Sequence, residues 1–291
     1  MLHRARRRDP RFPRVMPSFD VDGATLHYDV QGDGPPLLFL HGLGARADTW
    51  APQVARFAPR YRTIAVDFRG SGASRDRAHP AGPFSIPQFA ADVRALLEHL
   101  GAAPAHVVGL SLGGMVAFQL AVDAPACIRT LTIVNSGPAV VVRTLAERWA
   151  MLVRRVITHV AGPAAFAKIL APKLFPKPEH GALREEFQAM MAANDRAAYA
   201  ATLHAILGWS VVDRIGGIVA PTLVVAGDQD YTPVAAKESY VRLMPNARLA
   251  VVADSHHALP MEAPERFNAV LAAFLDQVDA GRSVQEAPRS A

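Results

Sequence analysis

The 291 residues predict an α/β fold, a mainly parallel central sheet with helices on both faces and one inserted helical block. Three observations carry that expectation. Short continuous apolar runs alternate with segments of helical periodicity, as strands covered on both faces do. Three of those runs end in glycine-bearing turns, at His41-Gly42, at Asp67-Phe68-Arg69-Gly70-Ser71-Gly72 and at Gly109-Leu110-Ser111. Residues 137–220 then break the alternation with helical stretches alone. That is too long for a connecting loop.

Taken in order, residues 18–31 read as two strands around Asp22-Gly23, a hairpin signal. Leu37-Leu38-Phe39-Leu40 is a doubly covered strand, followed by a helix over 49–57 and a second buried strand, Thr63-Ile64-Ala65-Val66. Phe89, Val93, Leu96, Leu97 and Leu100 recur at helical spacing over 86–100, with Gly101 where a C-terminal cap belongs. A strand runs into Gly109, a turn holds Ser111, and Met115-Val116-Ala117-Phe118 begins a good helix. Leu131-Thr132-Ile133-Val134 is the next strand. Inside the insertion Leu145, Trp149, Val153 and Val156 share one helical face, and further helices fall near 185–193 and 196–207, punctuated by Pro172, Pro176 and Pro178. The alternation resumes with Thr222-Leu223-Val224-Val225, a helix over 234–243 and Leu249-Ala250-Val251-Val252. A last helix opens at Pro264 and carries Phe267, Val270, Leu271, Phe274 and Leu275 on one face.

The expected domains are therefore a core of residues 17–136 and 221–278, a helical cap of 137–220 over the strand ends, a disordered basic leader of 1–16 and a mobile tail of 279–291. Six arginines and one acid in residues 1–15 account for the whole formal charge of +5. The body from Ser18 on is neutral, so no nucleic-acid face is expected. The arginines lead into Pro13, Met16 and a polar strand rather than an apolar signal core. No apolar run reaches the roughly 18 residues of a membrane span. The single cysteine, Cys127, precludes an internal disulfide and reads as a small buried hydrophobe. A cytoplasmic protein with no membrane partner is expected; oligomeric state is open.

Ser111 sits at the apex of a strand–turn–helix, with Gly109 two residues before and Gly113 two after. That is where a strained turn needs residues without side chains. A serine hydroxyl reacts only when a base takes its proton and a third group orients the base. Two later strands end in candidates, Asp228 and Asp230 in Gly227-Asp228-Gln229-Asp230, and His256 and His257 in Ser255-His256-His257. In a parallel sheet all of these fall at the same edge as Ser111. Backbone amides of Leu43, in the glycine-lined loop after the first buried strand, and Leu112, at the start of the helix after Ser111, are the expected oxyanion donors. No cysteine/histidine cluster has metal spacing and no phosphate-binding glycine motif occurs, so no metal or cofactor is expected.

These segments resemble the α/β-hydrolase family with a helical cap, and the likeness runs from about residue 18 to residue 278. His41-Gly42 matches its oxyanion loop, Asp67 to Gly72 its D-x-R-G-x-G segment, and Gly109-Leu110-Ser111-Leu112-Gly113 its nucleophile elbow. His257 with Glu262, Pro264 and Phe267 matches a catalytic histidine followed by E-x-P-x-x-F. The resemblance implies a carboxylesterase- or lactonase-like serine hydrolase with Ser111, His257 and Asp230 as its triad. His256 stands where the family has glycine and is expected to be a surface or pocket-wall residue. Counting from Gly227 favours Asp230 over Asp228, although both are carboxylates of one loop. Asp67 and Arg69 are expected to brace the loop, and His106 to be structural. The aromatics Trp149, Phe166, Phe175, Phe187, Tyr199 and Trp209 suggest as a set an apolar pocket, hence a small, largely apolar ester or lactone. Acyl transfer, C–C bond hydrolysis and slow-turnover ligand sensing use the same residues and stay open.

Overall fold

The computed structural model describes residues 17–77, 82–141 and 144–285; the arginine leader and the last six residues lie outside these. Its strands are β1 (Ser18–Val21), β2 (Ala24–Gln31), β3 (Pro36–Leu40), β4 (Arg62–Val66), β5 (Arg75–Asp76), β6 (Ala105–Leu110), β7 (Ile128–Val134), β8 (Thr222–Gly227) and β9 (Ala247–Val252). The helices are α1 (Ala51–Phe57), α2 (Ile86–His99), α3 (Leu112–Asp123), α4 (Leu145–Val160), α5 (Gly162–Leu174), α6 (Gly181–Ala192), α7 (Arg196–Ile206), α8 (Val234–Val241), α9 (Leu259–Glu262) and α10 (Pro264–Asp279). The sheet runs β1-β2-β4-β3-β6-β7-β8-β9, with β5 paired to β2. From β4 through β3 to β9 it is parallel. The β1–β2 hairpin adds an antiparallel edge through β2 and β4. Its two-residue turn has φ of +38° at Asp22 and +74° at Gly23, as a turn matched to strand twist requires.

Alternation along each strand divides the core between the two faces of the sheet. Leu38, Leu40, Val107 and Val224 pack under α2, α3 and α8, while Leu37, Phe39, Val108, Leu223 and Val225 pack under α1 and α10. Each such side chain contributes about 2 kcal/mol or more by leaving water. Because all the parallel strands point one way, their carboxyl ends deliver His41, Asp67, Ser111, Asn135, Asp230 and the loop after β9 to a common edge.

The helical insertion between β7 and β8 departs from expectation in two ways. Helix α5 lacked a sequence signal: apart from Lys168 and Lys173 its residues are small or apolar, and Pro172 falls in its last turn, where it removes an intrahelical hydrogen bond. Helix α4 is turned the other way from its apolar stripe. Leu145, Trp149, Val153 and Val156 are all exposed, because α5 and α7 meet the helix on the opposite side. At the far end Val284 is buried against α1 and α10 side chains.

Candidate active site

β6 delivers Ser111 into the turn before α3. Its φ of +54° is left-handed, a strained position for any residue with a Cβ. The turn is so tight that a Cβ on Gly109 would lie against the Gly113 backbone, and one on Gly113 against the Leu40 backbone. Only glycine fits at either place. The Ser111 amide donates to Val134 O (3.0 Å) and its carbonyl accepts from Ser136 Oγ (2.6 Å), which ties the turn to the end of β7.

The loop after β3 rises beside it: a Cβ on Gly42 would stand 3.7 Å from Ser111 Cβ. Beneath, His41 is fully buried, with Nδ1 on Gly42 O (2.8 Å) and Nε2 on the Phe68 amide (3.1 Å). An amide can only donate, so Nε2 accepts and Nδ1–H donates. Burial lowers the pKa of this ring, and it acts as an uncharged brace. Asp67 accepts from the Ala47 and Ala73 amides (2.7 and 2.8 Å). Arg69 is buried, forked onto Asp92 (both bonds 2.7 Å) and bonded to Asp76 (2.8 Å). Both residues hold loops. Leu112 opens α3, so its amide has no intrahelical acceptor. Among the described residues neither it nor the Leu43 amide is engaged by a backbone carbonyl.

His257 Nδ1 lies 2.8 Å from Asp230 Oδ1, and both side chains are buried. The carboxylate takes the Nδ1 proton, which leaves Nε2 as an acceptor. Asp230 Oδ2 also accepts from Lys237 Nζ (2.6 Å) and from the Thr232 hydroxyl. Burial alone would raise this carboxyl; the bonds from His257, Lys237 and Thr232 outweigh it and hold the pKa at about 2. Asp228 is elsewhere, exposed, accepting from the Ser255 amide (3.1 Å). His256 is buried rather than on the surface. Glu262 accepts both its ring Nδ1 and its amide, each at 2.7 Å.

Three further residues had little or no sequence signal. Tyr231 stacks on His257 (centroids 4.1 Å apart) and its hydroxyl meets Nε2 at 2.8 Å. The Ser111 hydroxyl acts on the same phenol, opposing the rise that burial gives its pKa. The tyrosine ring is more than half accessible; its oxygen is the enclosed end. Only its place next to Asp230 could have flagged it. Lys237 lies on α8, whose apolar pattern does not distinguish it. Asn135, at φ +45°, donates to the carbonyls of His256 (2.9 Å) and His257 (3.0 Å) and accepts from the Gly227 amide (2.9 Å). It fixes the histidine loop to the ends of β7 and β8.

The insertion meets this edge at the loop after β3. Met191 and Tyr199 lie against Gly44, and Asn194 Nδ2 donates to Gly44 O (3.0 Å). Leu43, Phe166, Met191, Tyr199 and Ala258 belong to one apolar cluster. Of the other aromatics, Phe175 and Phe187 form the insertion's own core, Trp209 donates to Gln119 Oε1 (2.7 Å), and Trp149 faces solvent. Among the described residues no group of three or more His, Cys, Asp or Glu is placed to hold a metal ion, and no helix is long and apolar enough to cross a membrane.

Residues 37–270 match a family model described as the alpha/beta hydrolase family. The chain is 32% identical over 272 residues to a putative carbamate hydrolase RutD of Azorhizobium caulinodans, covering 91% of this chain and 100% of that protein. It is 31% identical to 3-oxoadipate enol-lactonase 2 of Acinetobacter baylyi, over 84% of this chain and 90% of the relative. Among solved structures, the enol-lactonase from Burkholderia xenovorans LB400 superposes with a TM-score of 0.82 at 26% identity, covering 89% of this chain and 100% of that one.

Proposed function

We infer that this chain, which belongs to the alpha/beta hydrolase family, is a serine hydrolase that cleaves a small carboxylic ester or lactone through an acyl-enzyme. The observation that carries the reading is the buried Asp230–His257 pair, whose Nε2 is left as an acceptor and meets the Tyr231 hydroxyl, together with a strained Ser111 at the same sheet edge. Substrate enters by taking the place of the Tyr231 hydroxyl at Nε2. Ser111 Oγ attacks the acyl carbon as His257 takes its proton, and Asp230 orients the ring and stabilises its cation. The Leu43 and Leu112 amides receive the oxyanion, each worth roughly 3 kcal/mol of transition-state stabilisation. His257 then protonates the leaving oxygen. A water deprotonated by the same nitrogen cleaves the acyl-enzyme, and Ser111 recovers its proton. In this reading residues 137–220 are the cap. Leu43, Phe166 and Met191 give the acyl group an apolar wall, and no cofactor takes part.

Esters, lactones and thioesters of graded acyl length, with carbamates added because of the putative carbamate hydrolase relative, assayed on wild type and Ser111→Ala, test it. Ser111→Ala is expected to lose about 10⁴-fold or more in kcat/KM on every substrate turned over, and to escape fluorophosphonate labelling. Retained hydrolysis would remove Ser111 from its role.

A further inference from the structure

Helix α4 is mounted inside out. Leu145, Trp149, Leu152, Val153, Val156 and Val160 face solvent, whereas its more enclosed positions are Met151, Arg154, Ile157 and Thr158. Turning a guanidinium inward carries a desolvation cost that some partner must offset. Arg154 has little to offset it. Its Cζ stands 4.9 Å over the Phe166 ring, and Nη2 is a long 3.4 Å from the Tyr199 hydroxyl. Its Nε is buried without a hydrogen-bond partner. Among the described residues it forms no ion pair with a carboxylate.

The same arginine reaches the loop beside Ser111 through Tyr199. Tyr199, its one polar neighbour, packs on Gly44 beside the Leu43 amide. Burial raises the Tyr231 phenol pKa, and the Arg154 charge is the largest influence opposing that rise. Through Tyr199 on Gly44, and Gly42 next to Ser111, the cation is tied to the loop that rises beside the nucleophile.

We propose that Arg154, with the Tyr199 hydroxyl, is an anion subsite over Ser111, and that the natural ester or lactone carries a carboxylate remote from its scissile carbonyl. The proposal rests on the hydrolase reading above and narrows its substrate. A carboxylate is the group that takes Nε–H and an Nη–H together as a fork, which uses the donor now left without a partner. One guanidinium with no competing acid matches one negative charge. The Phe166 ring covers one face of the half-buried cation, so the contact is less screened than a fully solvated pair.

The test uses the monoethyl esters of glutaric, adipic and pimelic acids, each against its isosteric neutral ω-carboxamide, with the full chain. Wild type is expected to favour the acid at one or more lengths. In Arg154→Met the acid/amide ratio of kcat/KM falls about 10- to 100-fold, mainly through KM, and Arg154→Lys recovers part of it. An unchanged ratio in Arg154→Met, or a wild-type preference for the amide at every length, overturns the subsite. Binding of the free dicarboxylates, read as a rise in Tm, is independent of turnover: it is expected for wild type and reduced in Arg154→Met. If no ester is hydrolysed but that difference persists, the serine-hydrolase reading fails and the subsite stands; if the difference is absent, the subsite fails.

Discussion

His256 and His257 are adjacent, both buried, and each presents Nδ1 to a carboxylate, Glu262 at 2.7 Å and Asp230 at 2.8 Å. Their other connections separate them. Glu262 spends its second oxygen on the His256 amide (2.7 Å), so that pair fastens α9 to the loop in front of it. Asp230 spends its second oxygen on Lys237 and Thr232, and the ring it holds turns Nε2 toward the Tyr231 hydroxyl. A carboxylate partner thus marks a histidine that is held. A reactive one also needs its second nitrogen left as an acceptor on the nucleophile's side.

The largest expected effect separates the two rings. His257→Gln should lower kcat/KM by about 10⁴-fold or more, whereas His256→Gln should stay within about tenfold and lose Tm instead, through the Glu262 bonds. Comparable rate losses in both would show that the adjacent pair works as a unit. Next come the carboxylates. Asp230→Asn should cost about 10³- to 10⁴-fold, since an amide cannot stabilise the imidazolium and favours the wrong tautomer. Asp228→Asn should cost little, because its bond to the Ser255 amide survives in an amide side chain. A more severe loss in Asp228→Asn would transfer the role.

Lys237 sharpens the contrast by stability rather than rate. Its side chain is 1% exposed and Asp230's is 0%, so Lys237→Met leaves part of a buried charge uncompensated. Breaking such a pair costs about 3 kcal/mol, measurable as a lower urea midpoint with an unchanged slope. A midpoint equal to wild type would mean that His257 and Thr232 suffice to hold the carboxylate.

What the sequence made legible was local steric and electronic need. Gly109 and Gly113 are dictated by the backbone atoms a Cβ would strike, and the doubly covered strands by uninterrupted apolar runs. Fragments of this kind carry their own reason. The residues that escaped notice depend on which way an element faces once packed. The stripe on α4 identified a helix, yet periodicity cannot say which side meets α5 and α7, so nothing singles out Arg154, and Trp149 is grouped with the pocket aromatics. Lys237 likewise reads as an ordinary helix lysine until β8 brings Asp230 beside it. Tyr231 acquires meaning only when the loops after β8 and β9 are adjacent.

The smallest effect is on acid stability, and it tests whether Asp230 is held as tightly as its three partners suggest. Its folded pKa of about 2 lies below the unfolded value near 4. The ionised carboxylate is then favoured by the fold. That contribution is fully present above about pH 4, and it is lost as the pH falls through about 2. A shift of just under two pKa units corresponds to about 2 kcal/mol. Urea midpoints of wild type should therefore fall more steeply between pH 5 and pH 2 than those of Asp230→Asn, which has no proton to take up there. The two curves converge at the acid end. Parallel curves would mean that the pairing orients His257 without stabilising the fold, and would leave the rate comparison with Asp228→Asn as its only signature.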